Sequence, residues 1–157
     1  MIKKQRAVCL AVFAIYLLVL LNLTIFRFDF YYEERQLNLT LFTGLIRIFQ
    51  RRGIGEFLRL FLGNIGWFVP LGFLLPLLSK RKGFLFTAGA GLMLSFMIEA
   101  IQFIFYKGVA ELDDLLLNVL GTALGYLFYK TAQRLGLCKL CSLSDKMPEA
   151  RESTYPS

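Results

Sequence analysis

Glu99, Gln102, Asp114 and Asn118, with Asn64 earlier in the chain, are the residues whose types and positions could do chemistry. Glu99 and Gln102 lie inside an apolar run of 24 residues, Gly83 to Tyr106, long enough to cross a bilayer as a helix. A carboxylate at that depth is costly, and ionisable residues in spanning helices usually face a bundle interior or water. Ser95, Glu99, Gln102 and Tyr106 recur at i, i+4, i+7 and i+11, one face of a helix. Asp114, Asn118, Gly121 and Gly125 mark one face of the next. A carboxylate held among carboxamides could act as a general acid or base on a lipid-linked headgroup. Glu99 and Asp114 together could instead hold a hard divalent cation through oxygen ligands. The plainest alternative is that Asn64, Glu99, Gln102 and Asn118 only hydrogen-bond between helices, with Asp113 or Asp114 capping the helix that follows.

The elements that must position these groups are apolar and long. Ala7 to Phe26 and Leu60 to Ser79 each hold 20 residues without a charge, Gly83 to Tyr106 contains only Glu99, and Leu115 to Tyr129 adds 15 more. This patterning predicts an all-α integral membrane protein, a four-helix bundle with an outer interfacial amphipathic segment. Its helices are expected at about 7–26, 60–79, 84–106 and 114–133, forming one transmembrane domain over residues 1–136. The fourth apolar run spans only about 22 Å, so that helix is expected to begin near Asp113 and run past Lys130, whose stem can snorkel. Residues 137–157 are polar and read as a cytoplasmic tail.

Charge gives the expected orientation. Of 18 basic residues, eleven flank helix 1, fill the Lys80-Arg81-Lys82 turn or follow helix 4, with three acids among them. Residues 27–59 and 107–114 carry seven of each sign. The positive excess therefore places both termini in the cytoplasm and the first loop outside. Read as topology, the formal charge of +7 gives no reason to expect nucleic acid as a partner.

In the outer loop, Arg47, Arg51, Arg52 and Arg59 alternate with Leu45, Ile46, Ile48, Phe49, Phe57 and Leu58, interrupted at Gly53-Ile-Gly55. One or two short helices on the membrane surface would suit this pattern, with Arg51 and Arg52 able to meet lipid phosphates or merely to snorkel. The preceding Phe26 to Tyr32 reads as an interfacial aromatic belt. Within helix 2, Pro70 is expected to bend the backbone. Gly121-x-x-x-Gly125 permits close helix packing, within the bundle or between two copies of the chain.

The chain has no histidine and three cysteines. No Ser-His or Cys-His pair can be built, and no phosphate-cradling glycine loop is present, so no cofactor is expected. Cys9 reads as a buried apolar thiol, whereas Cys138-Lys-Leu-Cys141 lacks further ligands for a zinc site within one chain.

Four blocks resemble the VanZ-like family of small bacterial membrane proteins. They are Leu37-Asn38-Leu39-Thr40-Leu41-Phe42, the N-x-x-x-F-x-P-x-G pattern from Asn64 to Gly72, Ser95-x-x-x-Glu99-x-x-Gln102, and Glu111-x-Asp113-Asp114-x-x-x-Asn118-x-x-Gly121-x-x-x-Gly125. The sequence departs from the family pattern at Leu41, usually proline, at Glu111, usually aspartate, and at Gly108, often arginine. The resemblance implies a four-helix protein of the bacterial inner membrane and cell envelope. It further implies reduced susceptibility to lipoglycopeptides such as teicoplanin, without implying a settled biochemical activity. Three readings follow: an accessory protein that binds membrane lipids, a lipid-linked envelope precursor or a lipoglycopeptide; an intramembrane enzyme using Glu99 and Asp114; or a small carrier subunit. Asn64, Glu99, Gln102, Asp114, Asn118, Arg51 and Arg52 are the expected binding residues.

Overall fold

The computed structural model describes residues 2–26 and 33–137. The aromatic belt at 27–32 and the tail with Cys138 and Cys141 lie outside the described residues. Within them the chain forms α1 (Ile2–Leu21), a π-helical turn (Asn22–Phe26), β1 (Gln36–Asn38), α2 (Thr43–Leu78), α3 (Phe84–Ile104), β2 (Val109–Glu111) and α4 (Leu112–Arg134).

Three of the helical stretches, Lys4–Thr24, Thr43–Leu78 and Phe84–Ile104, are long and apolar enough to cross a membrane. Their apolar side chains are widely exposed, Leu18 at 69% and Leu85 at 84%, as expected of surfaces that face acyl chains rather than water. The fourth helix, α4, has 23 residues and so the necessary length, but Asn118, the glycines, the tyrosines and Lys130 dilute its hydropathy below that of the other three.

Small residues set the helix packing. A Cβ on Gly121 would overlap the Ile65 carbonyl, one on Gly125 the Val69 carbonyl, and one on Gly72 the Thr122 carbonyl. Backbone-to-backbone approach of this kind lets α2 and α4 run side by side in the same direction, Asn64 beside Asp114 at one end and Leu77 beside Tyr129 at the other. The Gly121 and Gly125 face is thus taken up inside the chain. Across from it, α3 runs antiparallel to α4, with Ser95 bonded to Asn118 and Phe84 against Tyr126. The first helix rests mainly on α2, antiparallel, through Leu20 against Phe68 and Tyr16 against Trp67.

Several sequence expectations shift. The second helix does not begin near residue 60. It starts at Thr43 and is broken once, at Gly53 (φ 81°, ψ 178°), a conformation that glycine adopts without penalty. Gly55 does not interrupt it. Pro70 and Pro76 stay within helical backbone, and the non-helical residue of α2 is Gly53. Pro70 has no N–H to give the Gly66 carbonyl four residues back, and next to that carbonyl the Tyr16 hydroxyl donates to the Trp67 carbonyl at 2.7 Å. The chain also contains a two-stranded parallel sheet that an all-α reading does not predict. Gln36, Leu37 and Asn38 pair with Val109, Ala110 and Glu111, tying the α1–α2 loop to the α3–α4 connection.

Candidate functional site

That small sheet lies where the sequence places its polar residues. Glu99 on α3 is 8% exposed, and its Oε2 accepts the backbone N–H of Glu111 at 3.0 Å. Asn64 on α2 donates from Nδ2 to Asp114 Oδ1 on α4 at 2.6 Å. Asn118, a turn further along α4, donates to Ser95 Oγ at 2.9 Å in a buried contact. The carboxylates of Glu99, Glu111 and Asp114 lie within electrostatic range of one another. Side chains from three helices therefore meet at one end.

Gln102 turns away from this group. Its Nε2 donates to the Thr24 carbonyl at 2.9 Å, which fastens the end of the first helix to α3. Arg51 and Arg52 lie apart as well, exposed just before the Gly53 break. Arg52 approaches Glu56 only to 3.9 Å, while Arg59 grips both oxygens of Glu56 at 2.6 and 2.9 Å.

The expected aspartate caps do not form. Glu111 occupies the N-cap position of α4 with no side-chain cap bond. Asp113 and Asp114 fall in the first turn, where carboxylates complement the helix dipole. Their oxygens reach to other elements instead: Asp113 Oδ1 accepts the backbone N–H of Phe42 at 2.7 Å, and Asp114 takes Asn64. The Glu111 carboxylate packs against the first turn of α2 so closely that a Cβ on Gly44 would stand 2.9 Å from it. Its Oε1 also accepts a 3.4 Å bond from Asn38, whose own Oδ1 accepts the Thr40 hydroxyl at 2.6 Å. Two carboxylates thus hold the α1–α2 loop and the start of α2 against the α3–α4 turn, where the N-terminal dipole of α2 offsets their charge.

Sequence reasoning did not single out Asn38, Glu111 or Asp113 as site-building residues. The signal was present in the spacing of the outer-loop and Glu111 blocks, but only the strand pairing shows that the two blocks meet. Arg35 carried no signal at all; its guanidinium lies 5.6 Å from the Phe103 ring centroid and 5.2 Å from that of Tyr106. Phe42 and Tyr106, with φ of 60° and 58°, flank the same region in the left-handed conformation, where bulky residues are strained. Among the described residues, no three His, Cys, Asp or Glu side chains are grouped so as to hold a metal ion. Cys9 is a half-buried free thiol on the first helix.

Apolar spans that carry an interhelical network of carboxylates and carboxamides define a helical membrane protein with a polar end. Its sequence matches the profile of the VanZ/LLP1 family over residues 13–133, and the chain belongs to that family. Among characterised relatives it is similar to Protein VanZ of Enterococcus faecium, 36% identical over 122 residues that cover 74% of this chain and 70% of that protein. No solved structure matches it.

Proposed function

We propose that this protein binds a lipid or lipid-linked ligand in the outer leaflet of the bacterial cytoplasmic membrane, and through that binding lowers susceptibility to lipoglycopeptides such as teicoplanin. The carrying observation is the convergence of Glu99, Asp114 and Asn64 at the end of the helices that the outer loop covers. In this reading α4 is a fourth spanning helix, the four helices form one bundle, and both termini are cytoplasmic, so the polar end faces outward. Asn118 and Ser95 floor the site, and Gln102 secures its wall to the first helix. Arg51 and Arg52 draw lipid phosphates toward it from the interface.

The test is saturable binding of a short-chain phospholipid to the purified full-length protein, read by native mass spectrometry, together with teicoplanin susceptibility of a host that expresses it. Binding that saturates and is weakened by Glu99→Gln, with a rise in the inhibitory teicoplanin concentration, is the expected result. An intact protein that takes up lipid without saturation, or equally well after the substitution, overturns the reading.

A further inference from the structure

Charge compensation at the polar end is incomplete. Glu111 and Asp113 face the first turn of α2, whose free N–H groups and dipole partly offset them. Glu99 has no such compensation, and Asp114 has only the dipole of its own helix, α4. Glu99 receives a backbone N–H and Asp114 a carboxamide, and neither forms a salt bridge with any described residue. Asp113 adds an acceptor with no hydrogen-bond partner, its Oδ2, although the residue is only 2% exposed. Buried charges are ordinarily paired, and removing a partner from such a charge is strongly destabilising. Two carboxyl groups that no cation of the described residues pairs, held at the same end of the helices by the Glu111 N–H and by Asn64, can therefore take a cation from outside the chain. Among the described residues no three His, Cys, Asp or Glu side chains are grouped for a metal ion. A primary ammonium, with three donors and one charge, suits two carboxylates.

The opposite charge is supplied one level higher. Phe103 follows Glu99 by four residues and so stacks above it on the same face of α3, about 6 Å along the axis. Arg35 lies over Phe103 and Tyr106, exposed and without a carboxylate partner among the described residues. Seated on two rings, the guanidinium is held in place while its N–H edge stays open to an oxyanion. We propose that the site takes a zwitterionic phospholipid headgroup, its primary ammonium between Glu99 and Asp114 and its phosphate on Arg35. This deepens, and rests on, the lipid-binding reading above: it names the headgroup chemistry.

The probes are dihexanoyl phosphatidylethanolamine, its N-acetylated derivative, which keeps the phosphate and loses the cation, and dihexanoyl phosphatidylglycerol, each titrated into the full-length protein. A charge-assisted contact predicts that the free amine binds about tenfold more tightly than either of the others. The preference should vanish in the double variant Glu99→Gln, Asp114→Asn, whereas Arg35→Gln should weaken all three lipids and leave the preference in place. The unmodified protein with its three probes decides the matter even where a variant fails to fold. Equal, saturable affinity for all three overturns the headgroup assignment and leaves lipid binding standing. Absence of saturable binding overturns both. A preference that survives the double variant also overturns the assignment, because the amine must then be recognised elsewhere.

Discussion

Glu99 and Glu111, twelve residues apart, are joined by a 3.0 Å bond in which the backbone N–H of one meets the carboxylate of the other. The bond folds the α3–α4 connection back over the end of α3. It also means that Glu99 has a structural duty and an electrostatic one at the same atom, and substitution can separate them. In Glu99→Gln the amide oxygen can accept the same N–H, so the turn should hold and membrane abundance should stay near normal. Lipid binding and any effect on teicoplanin susceptibility should fall sharply, because the charge is gone. Glu99→Ala leaves the part-buried N–H of Glu111 without its acceptor and should cost about 1 kcal/mol of stability as well. Full activity in Glu99→Gln would leave Glu99 with the structural duty alone.

Gly125 and Gly89 make a second comparison. A Cβ on Gly125 meets the Val69 carbonyl, and backbone cannot step aside as a flexible side chain can. Gly125→Ala should lower stability by about 1–3 kcal/mol, the usual penalty of overpacking. At Gly89 nothing stands within 4 Å of the added carbon, so Gly89→Ala should leave stability unchanged or slightly raised. Thermal unfolding in detergent would read both, and equal melting temperatures would contradict the close α2–α4 approach.

How much of this was legible in the sequence differs between helices and connections. Apolar runs interrupted by charges fix where helices can lie in a membrane, and three of the four expected spans satisfy that by length and hydropathy. The i, i+4 spacing of Ser95 and Glu99 placed both on one buried face, as observed. What was not legible is pairing at long range. Nothing local to Asn38 says that it sits opposite Glu111, because strand register over three residues carries almost no hydrophobic pattern. The same gap explains Asp113: its place at a helix start fits a cap equally well, and only the tertiary approach of Phe42 decides its partner. At Gly53 the sequence offered two glycines two residues apart, and only one takes a left-handed φ.

The proposed orientation in the membrane rests on the distribution of basic residues. Reporter fusions after Lys82 and after Arg134 should show cytoplasmic activity, and fusions within the outer loop near Glu34 should show external activity. Alkaline phosphatase activity at either of the first two positions would invert the assignment, and with it the leaflet that the polar end faces.

Arg51 and Arg52 provide the last test, and Glu56 changes what they are expected to do. The sequence pattern sets four arginines among apolar residues, but Glu56 binds Arg59 through both carboxylate oxygens and lies 3.9 Å from Arg52. Arg59 is therefore largely neutralised, Arg52 in part, and Arg51 is exposed without a salt bridge among the described residues. A free arginine near an anionic surface contributes about 1 kcal/mol, roughly fivefold in partitioning. Arg51→Gln alone should lower binding of an anionic lipid probe by about that factor, and adding Arg52→Gln should lower it by less than a second factor of five. Glu56→Gln should act in the opposite sense, since it releases two arginines. All three effects should shrink as salt is raised from low ionic strength to molar concentrations, where the screening length falls to about 3 Å. Titrating an anionic lipid against a zwitterionic one over that salt series separates the readings. If Arg51→Gln and Glu56→Gln leave both titrations unchanged, these arginines only anchor the helix end at the interface.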